Sequence, residues 1–412
     1  MTGSSYLHKA SYLVPVSGGD ELPPVINDGA VLTRNGRIVA VGSYRELRGG
    51  AAVEVDHGPA VLMPALVNCH SHLELSYLAH LGQDDDRQSG EMTDWIRKLL
   101  TEREKRCDPE EIKMAAWQGL ARLYAGGCRA GLDIGNLPES RGIASDFKVD
   151  CRFFQEILGL TETGIEAGLS LLAAAENDPD LRFTAHSPYS TGPELIRKLK
   201  ERAARHGHLF PIHVAESSAE TAFLAAGNGP FRDFLEERSA WDDSFVRPGL
   251  SPIAYLDRLG VLDERTLCVH CVQCDEDDLE VVAARHSAIC VCPGSNRYLE
   301  VGSAPVPQML AKGIRVVLGT DSPASNPHLS LWQEMRVLHE EHPGIAPAEI
   351  IRMAGRNGAE LMGISDEIGS LEPGRSASFL AVSGDPPEKA NPEAILEWLV
   401  SAGLSIVTEW VE

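Results

Sequence analysis

The sequence predicts an α/β fold, a parallel (β/α)8 barrel joined to a small β-sandwich, and three observations predict it. From about Ala60 onward, short apolar runs alternate with amphipathic stretches, and regular alternation of this kind indicates a parallel sheet. Both chain ends instead carry Gly- and Pro-punctuated, strand-like pieces. At 412 residues the chain is long enough for one large barrel with an appendage.

The eight runs are Val61 to Asn68, Cys128 to Ile134, Cys151 to Leu158, Leu181 to Ala185, Leu209 to Val214, Leu267 to Cys271, Ala288 to Cys292 and Ile314 to Gly319. Helical candidates between them include Asp94 to Lys105, Pro109 to Tyr124, Gly192 to His206, Ile253 to Leu259, Asp275 to Arg285 and Pro305 to Lys312. Eight units over about 300 residues fit a closed TIM barrel better than an open doubly wound sheet. Near the N-terminus, Ala30-Val31-Leu32-Thr33 and Arg37 to Gly42 flank Asn35-Gly36, a strong hairpin signal. The C-terminal part holds Phe379 to Val382 and Ser405 to Val411, two further strand-like pieces. We expect residues 1–59 and 365–412 to meet in the sandwich and residues 60–364 to form the barrel.

Apolar residues at 43% and charged residues at 24% are values of a soluble globular chain. A net charge of -23 argues against a nucleic-acid surface, which needs a basic patch. Met1 to Ala10 holds no cationic segment followed by an apolar stretch, so no signal peptide is expected. No stretch approaches 18 uninterrupted apolar residues, so no membrane span is expected. The nine cysteines fall mostly inside apolar runs and read as buried free thiols in a reducing cytoplasm. Cys268, Cys271 and Cys274 have CxxC-like spacing, but strand alternation should send their side chains to opposite faces.

In such a barrel, reactive groups sit at the C-terminal ends of the strands. The first run ends in His70-Ser71-His72. Side chains two apart on a strand share a face, with Cα atoms roughly 6.6 Å apart, so two imidazoles at a strand tip can grip one metal ion. A lone HxH is weak evidence, but later strand ends add His186, His213 with Glu216, His270 and Asp321. Three imidazoles and a carboxylate, from His70, His72, His213 and Asp321, suit one borderline divalent ion, zinc first or ferrous iron. Glu216, three residues after His213, is the candidate proton shuttle, with capping of the following helix as its alternative.

These motifs resemble those of the amidohydrolase superfamily. The matching segments are Val67 to His72, His213-Val214-Ala215-Glu216, Val269-His270-Cys271, Cys292-Pro293-Gly294-Ser295-Asn296 and Gly319-Thr320-Asp321-Ser322. Leu371-Glu372-Pro373-Gly374-Arg375 is similar to the family's C-terminal sandwich signature, with Ser378 where an Asp is usual. Binuclear members bridge two ions with a carboxylated Lys at the fourth strand or with a Glu; here that strand gives His186 and no strand end presents a Lys, so the resemblance implies one metal ion and the branch that deaminates aromatic amines. It further implies that Asp321 takes the proton of the attacking water, Glu216 protonates the ring nitrogen and His270 hydrogen-bonds the attacking oxygen.

Within the superfamily, His72 to Ser76, Val269 to Gln273, Ser295 to Leu299 and Asp321 to Asn326 most resemble aminodeoxyfutalosine deaminases of menaquinone biosynthesis. The implied substrate is an adenosine carrying a benzoate, a small molecule, and the family's habit implies a homodimer. Arg297 is then the candidate partner of the carboxylate, with a structural salt bridge as its alternative. His186 matches a substrate-contacting position, and Glu74 either binds a ribose hydroxyl or holds His72. Alternatives are methylthioadenosine/S-adenosylhomocysteine deamination, guanine deamination and triazine hydrolysis.

Overall fold

The computed structural model describes residues 5–17, 24–83, 91–137, 141–387 and 390–412. Residues 1–4 of the N-terminal segment lie outside the described residues. The strands in chain order are β1 (Ser5–Leu13), β2 (Ile26–Arg34), β3 (Arg37–Ser43), β4 (Val53–Asp56), β5 (Val61–Pro64), β6 (Leu66–Ser71), β7 (Cys128–Gly135) and β8 (Asp150–Ile157). They continue with β9 (Arg182–Ala185), β10 (Phe210–Val214), β11 (Thr266–His270), β12 (Ala288–Val291), β13 (Val316–Leu318), β14 (Phe379–Ser383) and β15 (Val407–Val411).

Strands β6 to β9 and β10 to β13 form two four-stranded sheets of parallel neighbours. The two seams that join them lie at candidate site residues. His213 N donates to His186 O at 3.0 Å across one seam. At the other, a bridge pairs Ser71 with Asp321, and Asp321 N donates to His70 O at 3.0 Å. The eight predicted runs therefore close into the expected barrel.

Flanking helices match their candidates, among them Met92–Lys105, Pro109–Ala125, Pro193–Arg205, Pro252–Leu259, Glu276–Ala284 and Val306–Ala311. Ile212, Cys268, Ile289 and Val316 on the strands share one buried cluster with Leu199, Leu256, Val282 and Met309 on those helices. Period-2 strand residues facing period-3.6 helix residues make this layer, and apolar burial is its main stabilising term.

The chain ends meet in a seven-stranded sheet ordered β15-β14-β5-β1-β2-β3, with β4 also on β1. Asn35 and Gly36 have φ of 52° and 72°, the left-handed pair that a two-residue hairpin needs between Arg34 and Arg37. Two features differ from expectation. The run from Val61 to Asn68 is not one strand: Val61–Pro64 pairs with β1 and β14, and the barrel begins at Leu66. Pro64 lacks the N–H that would continue the ladder, and uniformly apolar composition hides the break. The segment 365–412 also contains a helix, Pro392–Ser401, capped by Asn391 Oδ1 accepting from Ala394 N at 2.8 Å. Its Ile395 and Leu399 pack in the barrel's cluster with Met335 and Leu338.

Among the described residues, no helix is long and apolar enough to cross a membrane.

Candidate metal centre and its pocket

His70 and His72 leave the end of β6, His213 sits in β10, and their Nε2 atoms converge. His213 Nε2 lies 3.2 Å from both His70 Nε2 and His72 Nε2. Asp321 Oδ1 lies 3.6 Å from each of the latter two. His213 Nδ1 is 2.9 Å from His186 O, which can only accept, so that nitrogen carries the proton and Nε2 keeps its lone pair. Burial lowers the pKa of all three imidazoles, that of His72 to about 4, so they are neutral donors at pH 7. A divalent ion at that point would be reached by all three ring nitrogens at once. The donor set of three nitrogens and one carboxylate oxygen fits such an ion.

Asp321 is shaped for that role. Its second oxygen, Oδ2, accepts from Ser295 Oγ at 2.6 Å and Ser325 Oγ at 3.3 Å, which leaves Oδ1 facing the histidines. Burial raises its carboxyl, but hydrogen bonding and charge from His70, with His72 and His270, hold it well below the ordinary range.

The backbone at these strand ends is unusual. Ala215, His270 and Asp321 have φ of 53°, 75° and 58°, a region L-residues rarely occupy. Such strain persists only where the surroundings hold it, and it clusters at working sites. Here it turns the chain between His213 and Glu216 and at His270, as period-2 strands cannot. The same turn, continued at Cys271 with φ 48°, ends the expected alternation of the cysteines.

Glu216 is not the helix cap. Ser217 caps Ser218–Ala226 by accepting from Glu220 N, while Glu216 N donates to Glu220 Oε2 at 2.9 Å. The Glu216 carboxyl stays in the pocket with Oε1 3.5 Å from His270 Nε2. Burial, and then the charge of Asp321, raise its pKa well above the ordinary range.

His72, His213, Glu216, His270 and Asp321 line one cavity of about 610 Å³. Glu74 and His186 also line it. His186 Nδ1 is held by Ser190 Oγ at 2.6 Å. Glu74 Oε2 accepts from Leu137 N at 2.7 Å, and Oε1 lies 3.7 Å from Arg103 Nη2. Arg297 is a correction: it does not line the cavity, because its guanidinium pairs with Glu340 at 2.8 Å and Glu341 at 3.2 Å. The pocket's cationic residues are Arg103 and Arg238, which sequence reasoning passed over because they lie on helical connectors rather than strand ends. Glu156 and Asn136 were missed too, although Glu156 stands near the end of a predicted run and reading its strand end would have found it, while Asn296 was read only as part of the Cys292 to Asn296 motif.

A family model described as "Amidohydrolase family" matches residues 61–403, and an imidazolonepropionase-like composite domain model of bacteria matches residues 29–49. A 5-methylthioadenosine/S-adenosylhomocysteine deaminase of Moorella thermoacetica is 29% identical, covering 96% of this chain and 90% of its own. The crystal structure of an adenosine deaminase from Xanthomonas campestris with bound zinc superposes with a TM-score of 0.75 at 24% identity, over 96% of this chain and 89% of that one. The aminofutalosine deaminase of Helicobacter pylori in complex with methylthio-coformycin does so with a TM-score of 0.80 at 20% identity, over 99% and 97%. Motifs, barrel and matched model agree: the chain belongs to the amidohydrolase family.

Proposed function

We propose that this chain hydrolytically deaminates an adenine-ring nucleoside, converting 6-amino-6-deoxyfutalosine to futalosine and ammonia in menaquinone biosynthesis, in the cytoplasm. His70, His72, His213 and Asp321 would hold one divalent ion, zinc first or iron. The observation that carries this reading is the convergence of three neutral imidazoles on one point beside the buried Glu216 carboxyl, whose pKa burial raises well above the ordinary range.

An ion bound there supplies Lewis acidity that lowers the pKa of a water to about 7. The remaining work is proton handling by the chain. Asp321, held ionised, is the group able to take a proton from water. Glu216 starts protonated and gives that proton to the ring nitrogen, so negative charge does not build on the ring as oxygen adds to the amine-bearing carbon. Asn296 Oδ1 accepts from His270 Nδ1 at 2.9 Å, which leaves the His270 Nε2 lone pair facing the reacting groups. The balance closes within the site: a C–O bond forms, the proton taken by Asp321 passes to the amino group as the C–N bond breaks and ammonia leaves, and the proton of the new hydroxyl restores Glu216 as the C=O forms.

The cavity exceeds what a free base needs. Met92, Trp95, Leu99, Leu158 and Phe234 give it an apolar wall, with Arg103 and Arg238 beside it. Such a wall suits a nucleoside whose extension is apolar and ends in an anion. The likeness to the H. pylori enzyme supports the same substrate. A second reading, deamination of methylthioadenosine or S-adenosylhomocysteine, is favoured by the name of the M. thermoacetica relative.

An ammonia-release screen of the metal-loaded protein tests both, with adenosine, methylthioadenosine, S-adenosylhomocysteine, aminodeoxyfutalosine and guanine. The highest kcat/KM is expected for aminodeoxyfutalosine. A maximum at methylthioadenosine or S-adenosylhomocysteine selects the second reading, and a preference for guanine overturns both.

A further inference from the structure

Among the described residues, one carboxylate oxygen of the pocket lining, Glu156 Oε1, is fully buried without a hydrogen-bond partner. Glu156 is the penultimate residue of β8, is 6% exposed and lines the cavity. Its Oε2 accepts from Asn136 Nδ2 at 3.0 Å, and Asn136 is steadied by Gln155 Nε2 donating to its carbonyl at 2.8 Å. Oε1 is buried and accepts nothing. His213 Nδ1 stands 3.6 Å away, too far for a hydrogen bond, and its proton is committed to His186 O. A buried acceptor left open in this way is satisfied when a ligand brings a donor.

Position selects the donor. Oxygen and nitrogen atoms of Glu156, His186 and His213 lie within 4.8 Å of one another. A second cation there is disfavoured, because His213 Nδ1 carries a proton and His186 Nδ1 is tied to Ser190. Glu156 faces the Nδ1 edge of the His213 imidazole, whereas the metal cluster uses its Nε2 edge. It therefore meets a part of the ligand set away from the reacting carbon. Of the pocket's other buried acids, Asp321 and Glu216 face the metal cluster and His270, and Glu74 is already engaged by Leu137 N and Arg103.

We propose that Glu156 Oε1 accepts a hydrogen bond from a ribose hydroxyl of the bound nucleoside, and so selects ribonucleosides over deoxynucleosides. This rests on the nucleoside reading above. Asn136 acts as a positioning residue that pins Oε2 and turns Oε1 toward the sugar.

The test compares the best substrate of the ammonia screen with its 2′-deoxy and 3′-deoxy forms on wild-type, Glu156→Gln and Glu156→Ala proteins, with metal content measured for each. For wild type, removing the recognised hydroxyl should lower kcat/KM about 10- to 100-fold, mostly through KM. Glu156→Ala should lose a similar factor on the ribonucleoside and show no further loss on the deoxy form, while keeping its metal. Glu156→Gln, which retains an acceptor oxygen, should keep part of the preference. An undiminished ribose preference in Glu156→Ala overturns the proposal, as does loss of metal from it, which would make Glu156 a support of His213. If the wild type releases no ammonia from any adenosine derivative, the nucleoside reading itself fails and takes this proposal with it, a result visible before any variant is made.

Discussion

His270 is oriented by Asn296: Asn296 Oδ1 accepts from His270 Nδ1 at 2.9 Å, and the opposite ring nitrogen faces Glu216 Oε1 at 3.5 Å. Asn296 lies on the short helix Pro293–Leu299 just after β12, so a side chain from one strand end fixes the tautomer of a histidine from another. Asn296→Ala should lower kcat roughly 10- to 100-fold with a smaller change in KM and no loss of metal. Steady-state kinetics with metal analysis checks this, and an unchanged kcat would remove His270 orientation from the account.

Glu216→Gln keeps shape and hydrogen-bonding capacity but cannot deliver the same proton. Turnover should fall about 10²- to 10⁴-fold at unchanged metal content. Near-normal turnover in a metal-replete sample would contradict the shuttle role.

Gly319 offers a steric test of the centre. A Cβ there would lie 2.6 Å from His70 Cβ and 2.8 Å from Cys290 Sγ. Gly319→Ala should displace His70, reduce metal occupancy and cost about 1–3 kcal/mol of stability through overpacking. Metal analysis and denaturant unfolding read the two effects separately.

The two arginine assignments make opposite predictions. Arg297 is paired with Glu340 and Glu341, so Arg297→Ala should leave KM within about twofold, a surface pair contributing little. Arg103→Ala should raise KM for a carboxylate-bearing nucleoside about tenfold or more, and affect adenosine much less. Equal effects on both substrates would mean that Arg103 acts only by holding Glu74.

Burial pushes Glu220 up from its ordinary value to about 8. The folded chain thus holds this proton more tightly than the unfolded chain. Its contribution to stability is complete below the ordinary glutamate range and is lost as pH rises toward 8, at up to about 1.4 kcal/mol per pH unit. Urea unfolding of the metal-loaded protein from pH 5 to 8.5 should show a flatter decline for Glu220→Gln than for wild type. Parallel curves would contradict the shift.

Much of the fold and the site was legible in the residues. The apolar runs located all eight barrel strands, and the residues at their C-terminal ends included the histidines and carboxylates that converge. The misreadings have physical causes. Pro64 hides a change of sheet inside one apolar run, because strands buried on both faces look alike on either side of it. Arg297 lies just beyond a strand end, but its helix points the guanidinium toward acidic partners on the helix Leu331–Glu341. The left-handed backbone at Ala215, His270 and Asp321 carries no sequence signal, since none of the three is glycine. Arg103 and Arg238 reach the pocket from connectors whose placement only the fold decides.

The central claim is a single-ion site that deaminates an adenine ring, and metal stoichiometry measured on the same sample as ammonia release tests it most directly. One divalent ion per chain is expected, with ammonia from adenosine derivatives and parallel loss of both on chelation or in His72→Ala. Two ions per chain, or undiminished ammonia release from a metal-free sample, would contradict it.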